Sequence, residues 1–550
     1  MQETLQAGIL LGTLAGPLRE SEIPFANYKV SSLGAKMKET GKVRPLVDLS
    51  GPYDDDKTGA PGWIYSPEHP GSVNSTINKD DFPTTMSSNN IFMRMIWSAG
   101  KGSLVAKIDM TEAYKHISVH KDDHCLQIVS FGGRLFMELK LTFGASSSPG
   151  IFDRAAKAFL LPVTIISGIP RSLVTQHLDD VLAASQGGPN SHVWNFYNTY
   201  VKEAETVGIR LDSSGNKEKA QPPDKRVVAL GIEYDTDTWT LSYNKDKSAR
   251  LLQTIGELSL NLHHLPTDSK ETKARQSLAG KLLHMASITP GASTHLSHIL
   301  NWSTLTSFKS DSKAFIPDRD QLKEDLQWWC VAIKLTLTGN RIVHPGPNFP
   351  PTYLEVWSDA AGGTSGSVRH GMGFLTSTGH CGYAPWPMWF QEGFKNREGY
   401  HFDCKLSMME SLGPLWALMT LGNMASGVTV VSNVDNSGAC IAYSKGYSLH
   451  CPYLDVIVRT LHFLAKSLGC HLILNHVLRR TDIGSEIVDD MTTADFTSLN
   501  YHLPDRRHLS TLQAEDPLLS WILNPSSKDD LGRALTKRMR EDGCQLVEPW

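Results

Sequence analysis

Between residues 173 and 185 runs LVTQHLDDVLAAS, two apolar stretches with an aspartate pair, Asp179–Asp180, between them. Nothing else in the chain restricts its fold as much. Each stretch has the length and composition of a short strand, so the segment predicts a strand–turn–strand with both acids at its tip. Upstream, SLVAKID (103–109) is an apolar run ending in Asp109 and followed by TEAY. It predicts a strand that delivers an aspartate to a strand–helix junction. Alone, an aspartate pair is commonly a solvated turn, and a single aspartate commonly caps a helix. Three carboxylates brought together repel unless something positive lies between them. Mg²⁺ takes oxygen ligands and is typically held by one or two carboxylates plus substrate phosphates. Two such ions ~4 Å apart suit in-line phosphoryl transfer.

The rest of the chain sets the frame. Its 550 residues suffice for three or four folding units at roughly 100–200 residues each. With 57 acidic and 53 basic residues the net charge is −4, which excludes disorder as the main state and gives no global nucleic-acid signal. Any polyanion site must be local. Eight cysteines without a CxxC pair read as reduced thiols of an intracellular protein, cytoplasmic or nuclear, with no zinc module. No stretch approaches the ~20 apolar residues of a membrane span. The apolar start, 5–18, lacks a basic leader and reads as a helix rather than a signal peptide, so residues 1–24 are expected to be a helical extension. The sequons at Asn74 and Asn301 then carry no meaning.

Residues 51–75 are dense in Gly, Pro and Asp and read as loop. Residues 76–245 mix short apolar runs with turns. From 245 to 345 helical spacing takes over, with Leu251, Ile255 and Leu258, then Leu278, Leu282 and Met285. A linker (344–351) leads to a second mixed region, 351–499, and a tail, 500–550, holds one basic stretch, GRALTKRMR.

The second mixed region has its own series of acids. YLEVWSDAAGG (353–363) predicts a strand ending in Asp359; LSMMESLGPLWAL (406–418) places Glu410 at or just before a helix start, with Ser411 as cap and Pro414 in the first turn. VTVVSNVDNSGA (428–439) predicts a buried strand ending in Asp435, and IVDDMTTADF (487–496) offers Asp489 and Asp490. Each acid taken singly is commonly a surface or capping residue.

In order, these motifs resemble the reverse transcriptases. GKVRPLVDLS (41–50) looks like their fingers strand, AKIDMTEAYKHISV (106–119) like the motif of the first catalytic aspartate, and LTFGASSSPGIF (141–152) like the nucleotide-side loop and helix. HLDD (177–180) looks like the catalytic hairpin, with His177 where an aromatic residue is frequent, and ALGIEYDTDTWTLS (229–242) like the strands that end the palm. The resemblance implies an α+β right hand of fingers and palm (25–244) and a helical thumb or connection (245–345), then an α/β ribonuclease H-like domain (351–499). Asp109, Asp179 and Asp180 would hold two Mg²⁺, with Mn²⁺ as an alternative. Tyr114 would lie under the sugar, Phe143 and Gly144 near the incoming nucleotide, and Arg44, Lys42 and neighbouring lysines against its triphosphate. Asp359, Glu410, Asp435 and Asp489 would form the ribonuclease H quartet, with Asp490 as fallback. Some ribonucleases H carry a mobile His shortly before the last acid; here that stretch is RRTDIGSE (479–486), without His.

QSLAGKLLHMASITPG (276–291) and SVNSTI (72–77) are similar to the DIRS-type retroelements, which integrate by a tyrosine recombinase. The resemblance covers about 25–498 and implies an RNA template, a DNA primer, RNA–DNA hybrid and deoxynucleoside triphosphates as partners, with no membrane. Lys273, Arg275 and Lys281 are candidate duplex contacts on the helical segment, and the tail reads as a linker toward a further domain. The competing readings are an element-derived nucleic-acid-binding scaffold without turnover, and a nuclease whose polymerase half is idle.

Overall fold

The computed structural model describes residues 1–37, 43–50, 72–305 (less 189–190, 214, 217–218, 261, 263–265, 267 and 290), 319–341 (less 338), 353–361, 371–386, 402–502, 508–510, 531–541 and 543–545. The chain divides into two compact units, Met1–Ser242 with 341–345, and Tyr243–Asn340 with 346–550.

In the first unit, alternation along the strand Leu104–Asp109 decides the layout. Ala106 and Ile108 point into a core with Val181 and Ala183, packed on the helices Ser148–Ser167 and His192–Thr206 through Leu160, Val163, Phe196 and Tyr200. Period-two alternation puts Lys107 and Asp109 on the opposite face. The sheet runs Val174–His177, Asp180–Ser185, Leu104–Asp109, Gln221–Asp224, antiparallel throughout. Asp109 is the cross-strand partner of Asp180, and His177 also pairs with Asp180, so Leu178 and Asp179 are the two-residue turn. Leu178 takes φ 53°, the left-handed value such a tight turn needs at one position. The run 227–235 is likewise broken: Leu230 and Gly231 both have positive φ and join the strands Arg226–Ala229 and Ile232–Asp235.

A separate five-stranded sheet runs Leu14–Leu18, Arg134–Glu138, Ile128–Phe131, Val30–Met37, Val43–Asp48. This corrects the expectation of a helical start: the helix covers only Gln2–Leu10, and Leu14–Leu18 is an edge strand on Arg134–Glu138. Gly12 at φ 65° ends the helix, and a strand carrying Pro17 is tolerated at an edge.

The second unit joins four helices, Lys245–Ser259, Ser269–Ala286, Ser297–Thr304 and Arg319–Thr336, to a six-stranded mixed sheet. Strand order is His471–His476, Thr429–Val434, Tyr353–Ala360, Gly371–Thr376, His380–Pro385, His508–Ser510. One face packs Val356, Met372 and Phe374 against Leu412, Leu415 and Trp416 of the helix Phe402–Leu421. The other packs Leu375 and Cys381 against Ile487, Val488 and Met491 of the helix Ile483–Thr492.

Three further expectations are corrected here. Glu410 is not at a helix start but well inside Phe402–Leu421, with Pro414 interior. The missing N–H of Pro414 forfeits only the bond to the Glu410 carbonyl, and the apolar contacts of Leu412, Leu415 and Leu418 hold the helix through it. Arg275 is fully buried, bonded to Glu271 and lying 4.3 Å over the Trp302 ring, so it is no duplex contact, whereas Lys273 and Lys281 are exposed. The tail is no mere linker: in its helix Leu531–Glu541, Leu535 and Met539 are buried in the same core as Leu461 and Leu464.

Candidate functional site

The first cluster follows from register. Asp109 and Asp180 project from adjoining positions on one face of the sheet, and Asp179 caps the turn beside them; the Met110 N–H donates to the Asp179 carbonyl at 3.3 Å. Each of the two strand acids faces a lysine. Lys107 Nζ, 5 % exposed, lies 3.3 Å from Asp180 Oδ1. Lys219 Nζ lies 3.4 Å from Asp109 Oδ2 and 3.0 Å from Asp212 Oδ2. Burial pushes the Asp109 carboxyl up to about 6; Lys219 opposes this, and the Asp179 and Asp180 charges add to it. Asp180 is also raised, by burial first, with Lys107 opposing. The bond to Asp212 raises Lys219, so its charge is secure.

Of the residues expected at the nucleotide, Tyr114 is buried with its ring 4.7 Å from Phe143 and 5.5 Å from Phe152, while Phe143 is half exposed. Gly144 does permit a close backbone approach, but to the chain itself: a Cβ there would fall 2.1 Å from the Val47 carbonyl oxygen. Asn74 ties this junction together. Its Nδ2 donates to Ser50 Oγ (2.8 Å) and the Gly144 carbonyl (2.9 Å), and its Oδ1 accepts from the Ser146 N–H (2.8 Å). Arg44 sits on the strand Val43–Asp48 opposite Lys36, but its side chain, like the whole of Lys42, lies outside the described residues. Lys29, counted with the basic run, is buried.

The second cluster is tighter. Asp359, Glu410 and Asp435 each offer an oxygen, all within 4.8 Å of one another, and among the described residues no other such group occurs. Asp359 ends the strand Tyr353–Ala360, Asp435 directly follows Thr429–Val434, and these strands are parallel neighbours. The helix bearing Glu410 reaches them because Gly413 rests on Ser358, where a Cβ would lie 2.6 Å from Ser358 Cβ. Burial, then the Asp435 charge, pushes Asp359 up to about 6. Glu410 is raised well above the usual carboxylate range by burial and by both neighbouring acids. Asp359 Oδ2 and Glu410 Oε2 are buried without a hydrogen-bond partner. Such oxygens are costly unless a cation uses them, and hard oxygen donors at this spacing fit Mg²⁺.

Asp489 and Ser358 line one cleft with Asp359, Asn433 and Asp435, and Arg479 and Ser485 complete its wall. Asp489 accepts from Arg479 Nε at 2.6 Å and from Arg480 Nη1 at 2.9 Å. Asp490 is bonded by Arg480 Nη1 (2.8 Å) and Ser498 Oγ (2.5 Å). Of this pair, Asp489 is the one on the cleft wall. His476 sits at the cleft end of its strand, with Nε2 3.2 Å from the Asp435 carbonyl.

Five residues of the two sites stand outside the sequence expectations. Lys107 was legible, since period two places it on the face of Asp109. Arg479 and Arg480 stood in the stretch read only for its lack of His. Asn74 was dismissed as a sequon, and Lys219 carries no local signal because its partner is 110 positions away.

No family model matches the chain. An uncharacterized protein of Caenorhabditis elegans is 24 % identical over 132 residues, which are 24 % of this chain and 8 % of that protein. The foamy viral protease-reverse transcriptase in complex with double-stranded DNA is similar over 87 % of this chain and 69 % of its own, at 12 % identity and TM-score 0.44. The same protein in complex with RNA/DNA hybrid is similar over 90 % and 76 %, at 13 % identity and TM-score 0.35. Neither likeness reaches a TM-score of 0.5, so the functional reading rests on the residues of the two sites. Among the described residues no helix is long and apolar enough to cross a membrane.

Proposed function

We propose that the chain is an RNA-directed DNA polymerase of a retroelement, with a second site that cleaves the RNA strand of RNA–DNA hybrids. The observation that supports it most is the strand register that seats Asp109 opposite Asp180 with Asp179 in the intervening turn. A sheet gains nothing structurally from three acids at one end, two of them on adjoining strand positions. Its substrates would be an RNA template, a DNA primer and deoxynucleoside triphosphates, and the DIRS-type origin rests on the segments 72–77 and 276–291. Two Mg²⁺ per site, or Mn²⁺, would be held by Asp109, Asp179 and Asp180 in one and by Asp359, Glu410, Asp435 and Asp489 in the other; bound there, they would activate the attacking oxygen and neutralise the leaving group. The chain's own share is positioning: the Tyr114–Phe143 pair walls the polymerase site, and Asn74 fixes the backbone beside it.

Primer extension on an RNA template, with Mg²⁺ and then Mn²⁺, tests this. Wild type should extend and Asp179→Asn should not, while Glu410→Gln should lose hybrid cleavage and keep extension. A wild type that binds hybrid yet adds no nucleotide with either metal would establish the scaffold reading instead.

A further inference from the structure

The loop between the strand His471–His476 and the helix Ile483–Thr492 places two arginines at the second cleft. They differ in what they face. Arg480 is shared among Asp489, Asp490 and Glu486. Arg479 bonds Asp489 alone, through Nε and Nη2, and lines the cleft together with Asp359 and Asp435. Its side chain is 62 % exposed, against 12 % for Asp489. A guanidinium has five donors in a fixed fork. The contacts to Asp489 use the Nε and Nη2 edge, and among the described residues no partner takes Nη1.

We infer that Arg479 is a substrate-contacting residue of the second site, donating from its free edge to a non-bridging oxygen of the phosphodiester brought to Asp359, Glu410 and Asp435. This rests on the hybrid-cleaving reading of that site. Three features support it. Every charged residue lining the cleft besides Arg479 is a carboxylate, namely Asp359, Asp435 and Asp489, so a phosphate entering it meets repulsion that Arg479 offsets. The planar fork matches phosphate geometry, and the Asp489 carboxylate fixes its orientation beforehand, so little side-chain entropy is lost on contact. Arg480 bonds the other oxygen of Asp489, Oδ2, while Arg479 takes Oδ1, so Asp489 keeps a cationic partner when Arg479 contacts the substrate.

A chemical double-mutant cycle tests the contact. Wild type, Arg479→Gln and Arg479→Lys would be assayed on RNA–DNA hybrids each carrying one uncharged methylphosphonate, walked along the RNA strand. Binding would be read by anisotropy in EDTA and cleavage as kcat/KM in Mg²⁺. At one position the substitution should weaken wild-type binding several-fold and kcat/KM about tenfold, the scale of one charge-assisted hydrogen bond. Arg479→Gln should be nearly indifferent to the substitution at that position, and Arg479→Lys should recover part of the sensitivity. If no position shows an effect that depends on Arg479, the inference is wrong. If wild type cleaves no hybrid under any condition, the reading of the second site fails, while the binding cycle in EDTA still decides the Arg479 contact.

Discussion

Replacing Asp359 by Asn should make the protein more stable and less active, and the size of the gain can be worked from the site. Burial and the Asp435 charge raise the Asp359 carboxyl from an ordinary 3.8 to about 6. At 1.36 kcal/mol per pH unit this is worth roughly 3 kcal/mol. An acid whose native pKa exceeds its unfolded one binds more protons when folded across the interval between them. Stability therefore falls as pH rises from about 4 to about 6, and above that the penalty is fully present. An Asp359→Asn side chain keeps the acceptor for the Ala360 N–H (2.9 Å in the wild type) and removes the charge. At pH 7.5 in EDTA the thermal transition of the second unit should rise by roughly 5 °C, taking about 1.6 °C per kcal/mol for a unit of about 300 residues. The gain should shrink toward zero at pH 4. Because the whole chain need not unfold in one step, the quantity to read is the shift of that one transition in the full-length protein. Mg²⁺ should invert the ranking: a ligand that binds only the folded state raises wild-type stability by RT ln(1 + [L]/Kd), and the variant should respond less. A wild-type-minus-variant difference that stays flat between pH 4 and 7.5 would refute the reasoning.

Other perturbations follow from the same structure. Asp325, fully buried, accepts both Arg459 Nη1 (3.0 Å) and Nη2 (2.9 Å); burial would raise its carboxyl, but Arg459, His295 and His298 hold it well below the usual range. Asp325→Asn should cost roughly 3–5 kcal/mol, read as the second unit's transition. Asn74→Ala removes three hydrogen bonds, each worth about 1 kcal/mol, and should raise the KM for deoxynucleotide in primer extension while hybrid cleavage proceeds at the wild-type rate.

What could be read in advance was what the chain encodes locally. The strand Leu104–Asp109 and the hairpin over 174–185 are announced by short apolar runs interrupted by acids, though the turn falls on Leu178–Asp179, one residue before the acid pair, and Asp180 opens the second strand. Leu14–Leu18 was not legible, because it becomes a strand only by pairing with Arg134–Glu138, far along the chain. Pro414 misled by a sound rule: a proline favours the first turn, yet burial on both sides of it outweighs one lost backbone bond. Arg275 misled likewise, since a basic residue at helical spacing reads as solvent-facing until Trp302 is found beneath it. In the tail, Leu535 and Met539 at i,i+4 were a readable apolar stripe that the neighbouring basic residues obscured.

The two acid clusters meet the same electrostatic difficulty in different ways. In the first, Lys107 and Lys219 supply the positive charge. They are not equivalent: Lys107 is 5 % exposed and has little freedom to leave, while Lys219 is 51 % exposed and keeps Asp212 at 3.0 Å if it swings off Asp109. A cation approaching these acids would thus compete with an exposed lysine at Asp109 and with a buried one at Asp180. That makes Asp109 and Asp179 the more available pair and gives Asp180 a share in holding the sheet's charge balance. In the second cluster no lysine enters among the described residues. Arg479 and Arg480 reach Asp489, and one buried oxygen each of Asp359 (Oδ2) and Glu410 (Oε2) is left without a hydrogen bond. Both clusters fold against a desolvation penalty, as the raised Asp109 and Asp359 carboxyls show; in the first the two lysines offset part of it, whereas in the second the relief comes when a cation engages those oxygens. Stability of the second unit should accordingly be the more sensitive of the two to divalent ions.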